Sequence, residues 1–192
     1  MRLGIDFDGT IADVTEAKIR YARERLGEDL TPLETNRAHG LPRLGERRYV
    51  QMVEATHATD WTLTMRPMLG AIEVLQALAE HHELFVITAR NDDEIGWARA
   101  WLEPHGLPFR DVIHTSRGSK AAACETLAVD LMFDDSPLVL RELEPCALHL
   151  ALIDADYNRH LDLPDRAHRV DGWPAFHSLV STVPPPGVIE AR

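Results

Sequence analysis

The sequence predicts an α/β fold, a parallel sheet flanked by helices with a small helical cap inserted after the first strand. Three observations lead there. Five short apolar runs of strand length recur along the chain, and most end in polar or acidic residues. Continuous apolar runs suit strands covered on both faces, as in a parallel sheet. Segments with helical spacing lie between the runs, and strands alternating with helices build parallel sheets. The gap between the first and second runs is about 75 residues, far more than one crossover helix requires.

The first run is Arg2 to Phe7. Residues 14 to 66 then read as the cap. Ile19, Ala22 and Leu26 repeat at helical spacing and are ended by Gly27. A loop with Thr31-Pro32 and Gly40-Leu41-Pro42 follows, and a weaker helical pattern runs from Leu44 to His57. Pro67 and Gly70 punctuate the return. Ile72, Leu75, Leu78 and Ala79 share one helical face before the second run, Leu84 to Thr88. Ile95, Ala98 and Leu102 mark the next helix, and Asp111 to Thr115 the third run. Alanine-rich Ser119 to Leu127 suits a helix and precedes the fourth run, Asp130 to Phe133. Ser136-Pro137 reads as a cap with proline in the first turn of a helix reaching Leu143. The fifth run is His149 to Ile153. The core is expected over 1–13 and 67–180. Residues 181–192, with Pro184-Pro185-Pro186, are expected to form an extended tail.

The chain has 192 residues, 45% apolar and 27% charged, enough to bury a core without disulfides or a structural metal. Its 20 Lys and Arg against 31 Asp and Glu give a formal charge of −11. Such a surface repels a nucleic acid polymer, but a local cation still admits a small phosphorylated substrate. Cys124 and Cys146 stand far apart and form no C-x-x-C pair, which suits reduced thiols in a cytoplasmic protein. Met1-Arg2-Leu3-Gly4-Ile5 reaches a carboxylate too soon for a signal peptide, and no apolar run is long enough to span a membrane. No zinc-type His or Cys cluster, Walker A loop or G-x-G-x-x-G is present.

The chemistry gathers at the ends of the runs. The first ends in Asp6-Phe7-Asp8-Gly9-Thr10. Residues at i and i+2 on an extended strand face the same way, here toward the carboxyl edge where open α/β sheets bind ligands. Two carboxylates so close repel unless a cation or a shared proton intervenes, and Mg²⁺, which takes oxygen ligands, resolves the conflict. The other reading is a turn in which Asp8-Gly9 ends the strand. Thr88 ends the second run with a hydroxyl able to donate to a phosphate oxygen. Lys120 opens the helix after the third run, where an ammonium can neutralise a carboxylate and a phosphate together. Asp134-Asp135 follows the fourth run directly. Helix capping explains one of these acids but not readily both.

DxDGT, Thr, Lys and DD thus fall in order at successive strand ends, and in this the sequence resembles the haloacid dehalogenase-like (HAD) superfamily, whose core is Rossmann-like. The resemblance covers Met1 to Asp13 and Arg66 to Asp154, with the insertion placed like a type 1 cap. It implies Asp6 as a nucleophile forming an aspartyl-phosphate, and Asp8 as the general acid and base. It implies Mg²⁺ held by Asp6, the Asp8 carbonyl, Asp134 and Asp135, with Thr88 and Lys120 on phosphate oxygens. The aspartate at Asp8 argues for phosphoryl chemistry over carbon–halogen cleavage.

Tyr157-Asn158, followed by Arg169-Val170 and Trp173, is similar to the tail of the 5′(3′)-deoxyribonucleotidase-like group. That resemblance implies nucleoside monophosphates as substrates, with sugar phosphates or phosphoglycolate as rivals. A non-catalytic binding protein is the alternative of another class. A phosphoacceptor signalling domain fits poorly, because the third run ends in His114-Thr115-Ser116 rather than an aspartate. Ala89-Arg90 departs from the nucleotidase form of the second motif; Arg90 either contacts substrate or forms a surface salt bridge. Tyr21, Tyr49 and Trp61 are the aromatic candidates in the cap for stacking a base, or else its packing residues. The histidines are read as bystanders. A monomer or a homodimer is equally compatible with the sequence.

Overall fold

The computed structural model describes residues 1–146 and 148–184. Six strands form one sheet: β1 (Arg2–Ile5), β2 (Glu83–Thr88), β3 (Phe109–His114), β4 (Leu131–Asp134), β5 (His149–Ile153) and β6 (Ala167–Val170). They lie in the order β3-β2-β1-β4-β5-β6, and every pair is parallel. The strand order reverses between β1 and β4, and a crevice opens at the carboxyl ends of such a pair.

Both faces are buried, which is why the strands read as unbroken apolar runs. Leu3 and Ile5 of β1, with Leu84 and Val86 of β2, enter one core beneath α4 (Ala71–Ala79), α5 (Ile95–Leu102) and α8 (Trp173–Val180). Phe85 and Ile87 point the other way, toward α6 (Ala121–Thr126) and α7 (Pro137–Leu143), with Cys124, Leu140 and Leu143. Gly4 lies opposite Met132, and a Cβ there would come within 2.9 Å of the Met132 sulfur. Burial pushes the Cys124 thiol up to about 12, so it serves as a packing group.

Every element between β1 and α4 is helical: α1 (Val14–Tyr21), a widened turn over Ala22–Leu26, a short turn at Pro32–Thr35, α2 (Arg37–Leu44), α3 (Glu46–Ala58) and a final turn at Asp60–Thr64. Asp13 caps α1 by accepting from the Glu16 amide at 2.9 Å. Tyr21, Ala22, Leu30, Leu44, Tyr49 and Met52 form a separate apolar cluster in this segment. Val14, Ala17 and Met65 pack instead into the main core. On α1 the buried face is Val14, Ala17 and Tyr21, rotated from the Ile19-based face read in sequence.

Two elements depart from expectation. The stretch containing Gly40 and Pro42 is helix α2, not loop. Asn36 caps it, and Gly40 is needed there because a Cβ would meet the Glu34 carbonyl at 2.3 Å and the Tyr49 ring at 2.7 Å. Strand β6 lies outside the five apolar runs, because a four-residue edge strand carrying His168 and Arg169 buries only Val170 fully. Residues 185–192 of the expected tail lie outside the described residues. No helix among the described residues is long and apolar enough to cross a membrane.

Candidate active site

The switch point between β1 and β4 gathers the acidic strand ends. Asp6 follows β1 directly, and its amide donates to the Phe133 carbonyl at 2.9 Å, so the backbone stays in register with β4. Gly9 then turns the chain at φ +86°. A Cβ there would sit 2.6 Å from an Asp135 carboxylate oxygen, so glycine is the residue that fits.

Lys120, at the start of α6, reaches across to both sides of the switch point. Its Nζ donates to Asp6 Oδ1 at 2.5 Å and to Asp134 Oδ2 at 2.7 Å. All three side chains are buried, the lysine 2% exposed. An ammonium has three protons, so one is left for a further oxygen. The second Asp134 oxygen accepts the Ser136 amide at 2.9 Å. This acid turns the chain after β4, yet it faces the lysine rather than serving as a cap alone.

Asp6, Asp134 and Asp135 offer carboxylate oxygens that all lie within 4.8 Å of one another. Burial raises the Asp6 carboxyl well above its ordinary range; Lys120 opposes this, while Asp134, Asp135 and Asp8 add to it. Burial and then the Asp134 charge raise Asp135 to about 7, against the pull of Tyr157 and Lys120. Two buried carboxylates and one half-buried one, with a single ammonium, leave an excess of negative charge. A divalent cation seeking oxygen fits that donor set, with Asp6, Asp134 and Asp135 as the side chains placed to hold it.

Asp8 is arranged differently, although only one residue separates it from Asp6. Arg90 clasps it with a two-pronged pair: Nε to Oδ2 at 2.8 Å and Nη2 to Oδ1 at 2.7 Å. Burial alone would raise this carboxyl, but the guanidinium wins and holds it well below the usual carboxylate range. Arg90 is 0% exposed and lies over the Phe7 ring at 4.9 Å. This corrects the expectation of a surface salt bridge. Its fork lies on Asp8, and its Nη1 donates to protein acceptors. Thr88 is 1% exposed beside it, its hydroxyl oxygen accepting the Arg90 amide at 3.3 Å.

The loop that delivers Lys120 is bent sharply. Ser116 and Arg117 take φ values of 48° and 62°, the left-handed region that non-glycine residues seldom occupy. Backbone bonds from Ser116 to the Arg90 carbonyl and from Arg117 to the Ala89 carbonyl hold the bend. The Arg117 side chain pairs with buried Glu94 at 2.5 and 2.7 Å.

Several side chains join the site without having been singled out as site residues. Lys18, on α1, carries an ammonium lowered by burial and supported by the charges of Asp8 and Asp135. It stands four residues after Val14 and three before Tyr21, so a charge on the buried helical face was the available signal. His57, at the end of α3, is buried, and its Nδ1 lies 2.8 Å from the Val53 carbonyl, so that nitrogen bears the proton. Burial lowers this ring to about 3, with Asp8 opposing. Tyr157 donates its hydroxyl to Asp135 Oδ2, and Asn158 donates to the Asp135 carbonyl at 2.8 Å. Trp173 donates to the Thr10 carbonyl at 2.9 Å and lies edge-on to Phe133. The tail residues therefore brace the acidic loops.

The aromatic candidates of the insertion are corrected. Tyr21 and Tyr49 are each 6% exposed within the insertion's own apolar cluster and present no free ring face to a base. Trp61 packs edge-on against Tyr21 at 5.1 Å, under the guanidinium groups of Arg20 and Arg25 at 5.4 and 5.9 Å. The hollow beside it, about 330 Å³, is lined by Arg20, Glu24, Arg25, Asp60 and Thr64, with none of the acidic strand ends.

Comparison with known proteins gives a consistent result. The family model described as "5' nucleotidase, deoxy (Pyrimidine), cytosolic type C protein" matches residues 1–183. A nucleotidase-named protein of Halalkalibacterium halodurans is 26% identical over 178 residues, covering 90% of this chain and 88% of the relative. The cytosolic-type 5'(3')-deoxyribonucleotidase of Homo sapiens is 24% identical, covering 90% and 89%. Among solved structures, the haloacid dehalogenase-like family hydrolase SP0104 of Streptococcus pneumoniae superposes with a TM-score of 0.66 at 16% identity, covering 95% and 98%.

Proposed function

The chain belongs to the 5′ nucleotidase, deoxy (pyrimidine), cytosolic type C family and is a HAD-type phosphatase, and from that premise we propose that it hydrolyses nucleoside monophosphates through an Asp6 phosphoenzyme with the help of Mg²⁺. The observation that carries the reading is Lys120 bridging Asp6 and Asp134, with Asp135 in reach of the same point. Buried like charges are held together there at a cost to stability, which marks a site built for chemistry. The family description and the name of the human relative support a nucleotide substrate. Two free thiols, Cys124 and Cys146, agree with the reducing cytoplasm this reading assumes.

In the first half-reaction an Asp6 carboxylate oxygen attacks phosphorus and the bond to the leaving oxygen breaks. Asp8, protonated, gives its proton to that oxygen, releasing the nucleoside. Arg90 favours the ionised form of Asp8, and an approaching phosphate dianion shifts the balance toward the acid. In the second half-reaction Asp8 takes a proton from water. The water oxygen attacks phosphorus, the bond to Asp6 breaks, and inorganic phosphate leaves. Lys120 keeps one proton for a phosphoryl oxygen, and the Thr88 hydroxyl donates to another. A bound Mg²⁺ would neutralise the acidic cluster and share the phosphate charge.

Phosphate release from a panel of deoxy- and ribonucleoside monophosphates, sugar phosphates and phosphoglycolate, with and without Mg²⁺, tests the reading. Turnover is expected on the nucleotides, dependent on Mg²⁺ and lost in Asp6→Asn. Preference for a sugar phosphate would overturn the substrate class. Metal-independent turnover that survives Asp6→Asn would overturn the mechanism.

A further inference from the structure

Arg90 touches more than Asp8. Its Nη1 donates to the His57 carbonyl at 2.9 Å and lies 3.3 Å from Thr62 Oγ1 and from the Glu94 carbonyl. His57 and Thr62 belong to the end of the helical insertion; Glu94 and Asp8 belong to the sheet core. One buried guanidinium therefore spends its donors on both parts and on one carboxylate that the proposed reaction uses. A neighbouring bond ties the same two parts: Trp101 of α5 donates its indole N–H to the Met65 carbonyl at 3.0 Å. Each prong of the Arg90–Asp8 pair fixes one carboxylate oxygen, so the Asp8 plane has a single orientation available.

We propose that Arg90 is a positioning residue that fixes the Asp8 carboxyl group toward the leaving oxygen and registers it against the insertion that closes over that side. The inference rests on the proposed function and deepens it. Arg90 acts through Asp8, without contact to the phosphoryl group, so its removal harms only the steps in which Asp8 moves a proton. An alkyl ester such as a nucleoside monophosphate needs its leaving oxygen protonated. An aryl ester such as p-nitrophenyl phosphate leaves as a stabilised phenolate and hardly needs the acid.

The experiment compares single-turnover phosphorylation of the enzyme by a nucleoside monophosphate and by p-nitrophenyl phosphate in wild type, Arg90→Lys and Arg90→Met. Mg²⁺ is present throughout. General acid catalysis is worth about 10²- to 10⁴-fold, so the nucleotide rate is expected to fall by about 10²-fold or more. The aryl ester rate is expected to fall by less than about tenfold on the same reasoning, with KM for both little changed. Arg90→Lys keeps a cation beside Asp8 but loses the fork, so a folded protein remains for assay if Arg90→Met does not fold. A double-mutant cycle adds a readout that general damage would not mimic: in an Asp8→Asn background, Arg90→Lys is expected to slow the nucleotide no further. Equal losses on both esters, or a raised KM for both, would make Arg90 a phosphate-binding or merely structural group and overturn the inference while leaving the phosphatase reading intact. No turnover of either ester by wild type would overturn the parent reading, and this inference with it.

Discussion

The two ends of the central strands use the same kinds of side chain in opposite ways. At the amino end, Arg2 pairs with Glu83 at 3.0 Å, and the Arg2 amide donates to Asp130 at 2.7 Å. There the partners are open to water, Arg2 at 47% and Glu83 at 41%. At the carboxyl end, Lys120 meets Asp6 and Asp134 at similar distances but almost wholly out of water. Water screens the first group, and such pairs contribute little. The second group has lost its hydration, so each charge depends on its neighbours. Similar distances thus describe a surface contact at one end and a high-energy device at the other.

Four measurements sharpen this contrast. The largest effect belongs to Asp6→Asn, which removes the proposed nucleophile and should lower turnover by about 10⁴-fold or more. The same change removes one of three crowded carboxylates, so without metal the variant should melt at a higher temperature than wild type. A phosphate-release assay and a metal-free thermal melt read the two opposite signs. Lys120→Met strands the acids and should destabilise the fold by about 3–5 kcal/mol, measured by urea unfolding in chelator. Added Mg²⁺ should recover part of that loss by binding the folded form.

The third effect is a pH dependence. His57 falls from 6.5 in an open chain to about 3 in the fold. Between those values the unfolded chain binds a proton that the folded one does not, so stability declines as pH drops through that window. The slope approaches about 1.4 kcal/mol per pH unit. His57→Gln should flatten this contribution, seen by comparing urea midpoints at pH 7 and pH 5. The smallest effect is at the amino end. Arg2→Ala should cost less than about 1 kcal/mol, and less still in high salt, by the same urea assay.

Much of this architecture was legible because the sheet core is buried on both faces and its strands therefore announce themselves. The acidic pairs were legible because buried strand ends seldom carry them. What stayed hidden depended on tertiary contact. The helix through Gly40 and Pro42 exists because Tyr49 packs against a position where no side chain fits. Strand β6 sits at an edge, where solvent accepts His168 and the Asp154 carboxylate pairs with Arg169, so no apolar run is needed. The partner of Arg90 stayed hidden, since Asp8 lies 82 residues away. His57 offered no pattern, because a single histidine at a helix end looks the same whether it faces water or a carboxylate.

The separation of these partners along the chain also sets an order in time. Lys120 and Asp6 are 114 residues apart, and β1 takes its neighbours from residues 83–86 and 131–133. The central strand is complete only when both distant flanks have paired with it, and long-range pairings of this kind form slowly. The site exists only once both flanks have docked. Recovery of turnover after dilution from denaturant would therefore time the closing event of assembly, after helices and local turns have already returned.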